Sequence, residues 1–353
     1  MIVLITGAAG FVGSSIAKQL RKYSKSIQII GIDNLSRKGS ELNIQALKDI
    51  DCQFFHGDIA NQNDVDALPK VNWIIDCAAN PSVLAGISSS SLEVINNNLV
   101  GTFYLLEKCK RDIAGFILIS TSRVYSISEL NKIPLFASES AFSIKEAYPQ
   151  IQGLSSKGIS ESFSTNSPIS LYGATKLASE IIALEYHYNF GFPVWINRCG
   201  VIAGPGQFGK IDQGIFSYWV YQYLLDKPLS FFGYGGSGYQ ARDILHPIDL
   251  FNLLLQQLLS NANFEEKIFN IGGGVENTLS LLELDMICKE KINKKKVIQT
   301  VSENRSLDIP YYASNNDLAT LKWGWRPTKS AHQVIDEIVE FSSKNVPFIK
   351  ALQ

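Results

Sequence analysis

The chain of 353 residues is 46% hydrophobic and 18% charged, an ordinary globular composition with length enough for one large or two interlocked domains. A net charge of −1, with lysines and arginines scattered, excludes a strongly basic polyanion-binding surface, and no apolar run is long enough to span a bilayer. Five widely spaced cysteines (Cys52, Cys77, Cys109, Cys199, Cys288), without a Cys-x-x-Cys pair, and four dispersed histidines (His56, His187, His246, His332) argue against disulfides or a metal centre and for free thiols in a reducing cytoplasm.

The chain enters a buried-type strand at Ile2–Ile5, so no signal peptide is expected. Gly7, Gly10 and Gly13 follow at three-residue spacing, and Phe11–Lys22 carries a helical pattern. Strand, glycine turn and helix in that order are the context for a pyrophosphate site. Missing side chains let the backbone turn tightly, and the helix N-terminus attracts the anion. A bare glycine turn is the alternative. The next apolar run, Ile27–Ile32, ends at Asp33, placed to accept from a ribose 2′-hydroxyl and to repel a 2′-phosphate. NAD is therefore expected rather than NADP, although Arg37 and Lys38 stand close by.

Further strand-like runs are Cys52–Phe55, Trp73–Asp76 and Gly115–Ser120. They alternate with helix-like stretches at Ser40–Lys48, Asn63–Leu68 and Leu92–Lys110, a pattern that predicts a doubly wound parallel sheet covered by helices. Residues 126–171, rich in Ser, Pro and Gly, lose periodicity and read as a long loop of the kind that is functional or partly mobile. Tyr172–Phe190 reads as a helix and Val194–Asn197 as a strand. Beyond Arg198, glycines, prolines and aromatics crowd 200–209 and 231–239. Helices are expected at Ile211–Leu225, Leu250–Leu259, Leu279–Lys291, Asn315–Leu321 and Ala331–Ser342, with a strand at Lys267–Ile271. The division predicted is a dinucleotide-binding domain over 1–200, rejoined by 245–275, and a smaller mixed α/β substrate lobe over 201–353.

Tyr172-Gly-Ala-Thr-Lys176 puts a phenol and an ammonium one helical turn apart on the same face. The cation favours the phenolate, so the tyrosine can take a hydroxyl proton while a hydride leaves the same carbon. An exposed Tyr–Lys pair without chemistry is the alternative, weakened by the glycine fingerprint upstream.

With these motifs the chain resembles the extended short-chain dehydrogenase/reductases, whose fold is of Rossmann type, and within them the NAD-dependent nucleotide-sugar epimerases. The likeness runs through Thr6–Gly13, Asp33–Arg37, Gly57-Asp58-Ile59, Asn98–Thr102, Ser120–Tyr125, Tyr172–Lys176, Arg242–His246 and Trp323–Pro327. It implies that the amides of Phe11 and Val12, with Gly7, Gly10 and Gly13, hold the pyrophosphate. It implies that Asp33, Asn34, Ser36 and Arg37 surround the adenosine ribose, that Asp58 and Ile59 meet the adenine, and that Cys77, Ala78, Ala79 and Asn98 line the cofactor path. Thr121 falls at the third catalytic hydroxyl and completes a triad with Tyr172 and Lys176. Gln213, Phe232, Arg242, Arg305 and Asp308 are implied as contacts to the nucleotide-diphosphate sugar, Arg242 as a charge-assisted clamp; an ion pair with Asp243 is the plainer use for that arginine.

Relatives that eliminate water carry Asp-Glu after this hydroxyl, and decarboxylating relatives carry Glu before Val-Tyr. Here Ser122 and Arg123 stand instead, which favours epimerisation. Asp33–Gly39, Thr121 with Arg123, Gln207-Phe208, Asp212–Gly214, Phe232–Gly235 and Gln240–Asp243 resemble the branch that oxidises sugar carbon 2 rather than carbon 4. Ser126 where Gly is usual, Val201 where Asn is frequent, and the long 126–171 segment depart from the family pattern. A UDP-sugar 4-epimerase, a nucleotide-sugar reductase with net redox change, and a non-catalytic dinucleotide-binding regulator are the alternatives; the last commonly lacks the tyrosine or lysine. A homodimer through Leu92–Lys110 and Tyr172–Phe190 is a further implication of the resemblance.

Overall fold

A computed structural model describes residues 1–87, 90–145, 150–210, 213–305 and 307–352. Contacts divide the chain into two compact units. The first is Met1–Val124, Ser170–Arg198 and Pro247–Phe269; the second is Tyr125–Ile169, Cys199–His246 and Asn270–Gln353. The segment after Val124, read from sequence as part of the first domain, packs with the second unit, and the two units are consequently of nearly equal length.

The first unit is built on strands β1 (Ile2–Thr6), β2 (Gln28–Asp33), β3 (Cys52–His56), β4 (Trp73–Asp76) and β5 (Gly115–Thr121), followed by the strands Val194–Cys199 and Ile268–Ile271. Their order across the seven-stranded sheet is Ile268–Ile271, Val194–Cys199, β5, β4, β1, β2, β3. β1 pairs in parallel with both β2 and β4, β2 with β3, and β4 with β5. The order reverses between β1 and β4, the topological switch point beyond which ligands bind in such sheets. Apolar side chains of β1, β2, β4 and β5 pack with Leu105, Leu106, Ala183 and Phe192 into one core. A strand covered on both faces needs an uninterrupted apolar run, which is why these strands lack alternation.

Helix α1 spans Phe11–Tyr23. The stretch read as a single helix over Leu92–Lys110 is an α-turn at Leu92–Ile95, a π-turn at Asn96–Val100, and an α-helix at Gly101–Asp112. The Tyr172 helix runs Ser170–Phe190.

In the second unit the strand Ala241–Leu245 is the hub. It pairs with Val201–Ile202, Thr278–Ser280 and Tyr311–Tyr312. A parallel pair, Ser230–Phe232 with Gln299–Val301, forms a separate two-stranded sheet. The core joins Phe216, Trp219, Val220 and Tyr223 of the helix Ile215–Leu224 to Leu284, Ile287, Val334, Ile335 and Ile338. Residues 211 and 212, the expected start of that helix, lie outside the described residues, as does Asp212 of the resemblance. The 126–171 segment is not featureless. It forms hairpins Leu135–Ala137/Phe142–Ile144 and Leu154–Ser155/Gly158–Ile159, and Leu135 and Ile144 pack on Ala241, Tyr311 and Ala313. Hairpin strands this short carry too little period to be read from sequence.

Candidate active site

The glycine turn is sterically specified. Gly7 has φ +58°, and a Cβ there would lie 3.0 Å from the Ala78 backbone; a Cβ on Gly13 would lie 2.2 Å from the Gly7 carbonyl oxygen. Gly10 caps α1 with no side-chain hydrogen bond, so the first-turn amides, those of Phe11 and Val12 included, face outward without a side-chain acceptor, as an anion site requires. The turn is braced from β4. Thr6 Oγ donates to Asp76 Oδ1 at 2.7 Å and accepts from the amides of Cys77 (3.1 Å) and Ala78 (3.0 Å). Thr102 Oγ donates to Asp76 Oδ2 at 2.9 Å. Sequence reading missed Thr6 and Asp76 as a pair; polar residues closing two adjacent apolar strands were the available signal.

Asp33 accepts the Ala9 amide on Oδ2 (3.0 Å) and the Leu35 amide on Oδ1 (2.8 Å). Three amides, those of Ala9, Leu35 and Gly10, share the four lone pairs of the two oxygens, so at least one lone pair is left for a diol. Burial raises the Asp33 carboxyl above the ordinary carboxylate value, and the amides of Leu35, Ala9 and Gly10 and nearby His56 oppose that shift. Asn34 Nδ2 donates to Asp58 Oδ2 at 3.0 Å, and its Oδ1 accepts the Ser36 amide at 3.0 Å. Asp58 Oδ1 accepts the Ala60 amide at 2.8 Å, Ile59 is buried, and Arg37 closes a turn through its carbonyl, which accepts from Ser40. The glycine cradle, the uncapped helix start and this carboxylate fit a dinucleotide.

Thr121 ends β5, and Thr121, Tyr172 and Lys176 are buried at 8%, 8% and 1% exposure. The Arg123 amide donates to Thr121 Oγ at 3.1 Å. That bond takes one of the two lone pairs of the hydroxyl oxygen. Thr175 Oγ donates to the Tyr172 carbonyl at 2.9 Å. Asn98 lies on the π-turn; its Nδ2 donates to Thr175 Oγ (3.2 Å) and the Asn80 carbonyl (3.1 Å), and its Oδ1 accepts the Asn80 amide (2.7 Å). Cys77, which is partly exposed, follows β4 directly, with Ala78 and Ala79 next.

In the second unit Arg242 Nη2 reaches Asp308 Oδ1 at 3.1 Å and the Ile309 carbonyl at 2.5 Å, and Nη1 donates to the Ala241 carbonyl at 2.8 Å. Its partner is thus Asp308, not the sequence neighbour Asp243. Burial lowers the guanidinium from its ordinary value, opposed by Asp308, Tyr234 and Asp243. The Arg305 guanidinium stacks 3.9 Å from the Phe232 ring centroid. Gln213 and Lys210 exchange backbone hydrogen bonds of 2.7 and 3.1 Å. Among the described residues, no cluster of His, Cys, Asp and Glu is arranged to hold a metal, and no helix is long and apolar enough to cross a membrane.

Residues 3–272 match the NAD dependent epimerase/dehydratase family, and the chain belongs to it. It is therefore an enzyme of the NAD-dependent nucleotide-sugar epimerase/dehydratase class, with NAD as cofactor. Over its whole length it is similar to the CDP-paratose 2-epimerase of Salmonella typhi, with 29% identity covering 97% of this chain and 99% of the relative. It is also similar to the UDP-glucuronate 4-epimerase of Thermodesulfobacterium geofontis, at 26% identity covering 99% and 98%. Among solved structures, UDP-glucuronic acid 4-epimerase from Bacillus cereus in complex with UDP-glucuronic acid and NAD superposes with TM-score 0.79 at 26% identity, covering 98% of this chain and 99% of that one.

Proposed function

We propose that the chain epimerises a nucleotide-diphosphate sugar through a transient keto-sugar, with CDP-paratose inverted at carbon 2 as the preferred reaction. One observation carries the reading: Thr121 stands at the end of β5, and no carboxylate follows it at 122 or 123. A site with a hydrogen-bond donor and a tyrosine base, but no added acid, suits return of the same hydrogen rather than elimination of water. NAD, when bound, supplies the hydride acceptor and donor. Thr121 donates to the reacting sugar oxygen, Tyr172 removes and later restores its proton, and Lys176 favours the phenolate. In the second unit Arg242, preset by Asp308, holds the diphosphate, and Arg305, Phe232 and Gln213 contact the nucleotide. Gly7, Gly10, Phe11, Val12, Gly13, Asp33, Asn34, Ser36, Arg37, Asp58, Ile59, Cys77, Ala78, Ala79, Asn98, Tyr172 and Lys176 are proposed as the cofactor contacts. The enzyme is proposed to act in the cytoplasm as a homodimer.

The likeness to the CDP-paratose 2-epimerase supports the CDP reading, and that to the UDP-glucuronate 4-epimerase supports a UDP-sugar 4-epimerase as the second. The test is incubation of the purified protein with CDP-paratose, UDP-glucuronate or dTDP-glucose, without added cofactor, and NMR of the recovered sugar. Carbon-2 inversion of the CDP-sugar is expected. Carbon-4 inversion of UDP-glucuronate alone would move the assignment to the second reading, and turnover only with added NADPH would make the protein a reductase.

A further inference from the structure

Three buried side chains of the first unit adjoin the residues given chemical roles above, yet take no part in that chemistry. Glu180 lies on the Ser170–Phe190 helix one turn past Lys176 and two past Tyr172, on the same side of the helix. It is 1% exposed and Arg198 is 5% exposed. Arg198 Nε donates to both Glu180 oxygens at 3.1 Å, and Nη2 donates to Oε2 at 2.7 Å. Ser120 Oγ donates to Oε1 at 2.5 Å. Ser120 immediately precedes Thr121 on β5, and Arg198 belongs to the strand beside β5 in the sheet order. One carboxylate thus ties the helix to two adjacent strands beside Thr121. On another flank Ser179 Oγ donates to the Asn98 carbonyl at 2.9 Å.

Stability alone is a poor reason for such a network, because an apolar pair of similar volume commonly serves as well as a buried ion pair. What the network adds is direction: a guanidinium fork accepts a carboxylate in few orientations. Packing alone tolerates small rotations and slides of a helix; the fork and the Ser120 bond do not.

We propose that Ser120, Glu180 and Arg198 form a positioning network that fixes the rotation and height of the Ser170–Phe190 helix against the end of β5, and so keeps Lys176 beside the Tyr172 phenol and Thr121 at its working place. The three are positioning residues that touch neither substrate nor cofactor, and the proposal rests on the catalytic reading above.

The test needs no substrate. Phenolate absorbance of the NAD-loaded protein is titrated with pH, and the Tyr172→Phe curve is subtracted to isolate Tyr172. The wild-type difference is expected to show one ionisation below the usual phenol value of about 10. The same subtraction is made in a Glu180→Met/Arg198→Met background, where the thermal midpoint and NAD content are expected to hold while the Tyr172 step rises by about one pH unit or more. Ser120→Ala, which removes only the tie to β5, shifts the step in the same direction by less, and it decides the matter if the double variant does not fold. A Tyr172 step that stays in place in every folded variant overturns the positioning network and leaves the catalytic reading intact. A wild-type difference with no step below about 10 overturns both.

Discussion

At Thr121 the Arg123 amide takes one lone pair of the hydroxyl oxygen, which leaves the hydroxyl its hydrogen and a second lone pair; in the proposed triad Tyr172, with Lys176 as its cation, is the group that takes and returns a proton. Replacing Tyr172 with Phe is expected to lower turnover by about 10²–10⁴-fold, with the NAD content of the purified protein unchanged; turnover near wild type would remove the acid/base role. Arg242→Ala, which deletes a preset cation, is expected to raise KM for the nucleotide-sugar by about 100-fold with a smaller effect on kcat, read from steady-state kinetics. Asp33 makes a pH-dependent prediction. Its carboxyl is raised by burial, so as pH falls it gains a proton at a higher pH than an exposed aspartate and loses its value as an acceptor for the ribose diol. NAD affinity is therefore expected to weaken on the acid side at a pH above the ordinary carboxylate value of about 3.9, and an Asp33→Asn protein to bind more weakly with no such limb. Calorimetric titration of the NAD-free protein across that range reads both. Gly7, Asp33, Tyr172 and Lys176 could be singled out in the sequence because the roles proposed for them each need a fixed local spacing. Glu180 with Arg198, and Thr6 with Asp76, could not, because their partners lie 18 and 70 residues away and no local period announces such a pair.

At the level of elements, strands β1 to β5 could be read because burial on both faces demands continuous apolar runs, and their bounds differ from expectation by a residue or so. In the second unit the helices stand close to their expected places, whereas the strands resisted reading. Its hub strand Ala241–Leu245 contains Arg242 and Asp243, and its partners Val201–Ile202 and Tyr311–Tyr312 are two residues long. Such strands are specified by tertiary pairing rather than propensity. Likewise the π-turn at Asn96–Val100 is invisible to helical periodicity, although it presents Asn98 to Asn80 and Thr175. The hub strand has a measurable cost. Asp243 is fully buried, accepting the amides of Ser314 (3.0 Å) and Gly274 (3.3 Å), and desolvation pushes its carboxyl up to about 6 despite those bonds. A carboxyl raised in the fold is neutral in both states at low pH. As pH rises the unfolded chain ionises first, so stability is lost between about 4 and about 6 and stays lost above. The component is about 3 kcal/mol at about 1.4 kcal/mol per pH unit. Asp243→Asn keeps an acceptor for the two amides and is expected to flatten this part of the stability profile, measured by urea unfolding between pH 4.5 and 7.5. An unchanged slope would show that Asp243 ionises in the fold as it does in the unfolded chain.

For the whole molecule, composition bounded the class and the family match fixed it, but the division into two units of nearly equal length follows from contacts no pattern foretold. The insertion after Val124 joins the second unit through its hairpin, where Phe142 stacks edge-on against Tyr234 and Tyr239 and its amide donates to the Tyr239 carbonyl at 2.9 Å. The proposed dimer belongs to this scale. Isolated exposed apolar residues are ordinary on any protein. Here, however, the helices Gly101–Asp112 and Ser170–Phe190 pack through the Phe103–Tyr186 ring contact and expose Phe103 (39%), Ile181 (56%), Tyr188 (87%) and Phe190 (48%). Ile181 and Tyr188, seven residues apart on one face of the Ser170–Phe190 helix, are large side chains turned to solvent, and in the proposed dimer a second copy covers that face about a two-fold axis. Light scattering after size exclusion at about 10 μM, a concentration at which a dimer with nanomolar Kd is fully formed, is expected to give twice the 39.1 kDa chain mass. Ile181→Glu combined with Tyr188→Glu, both at exposed positions of the single chain, is expected to give the monomer mass without lowering the helical signal, because charges would have to be desolvated at the interface. A wild-type protein of monomer mass, or a double variant that remains dimeric, would remove these helices from the assembly.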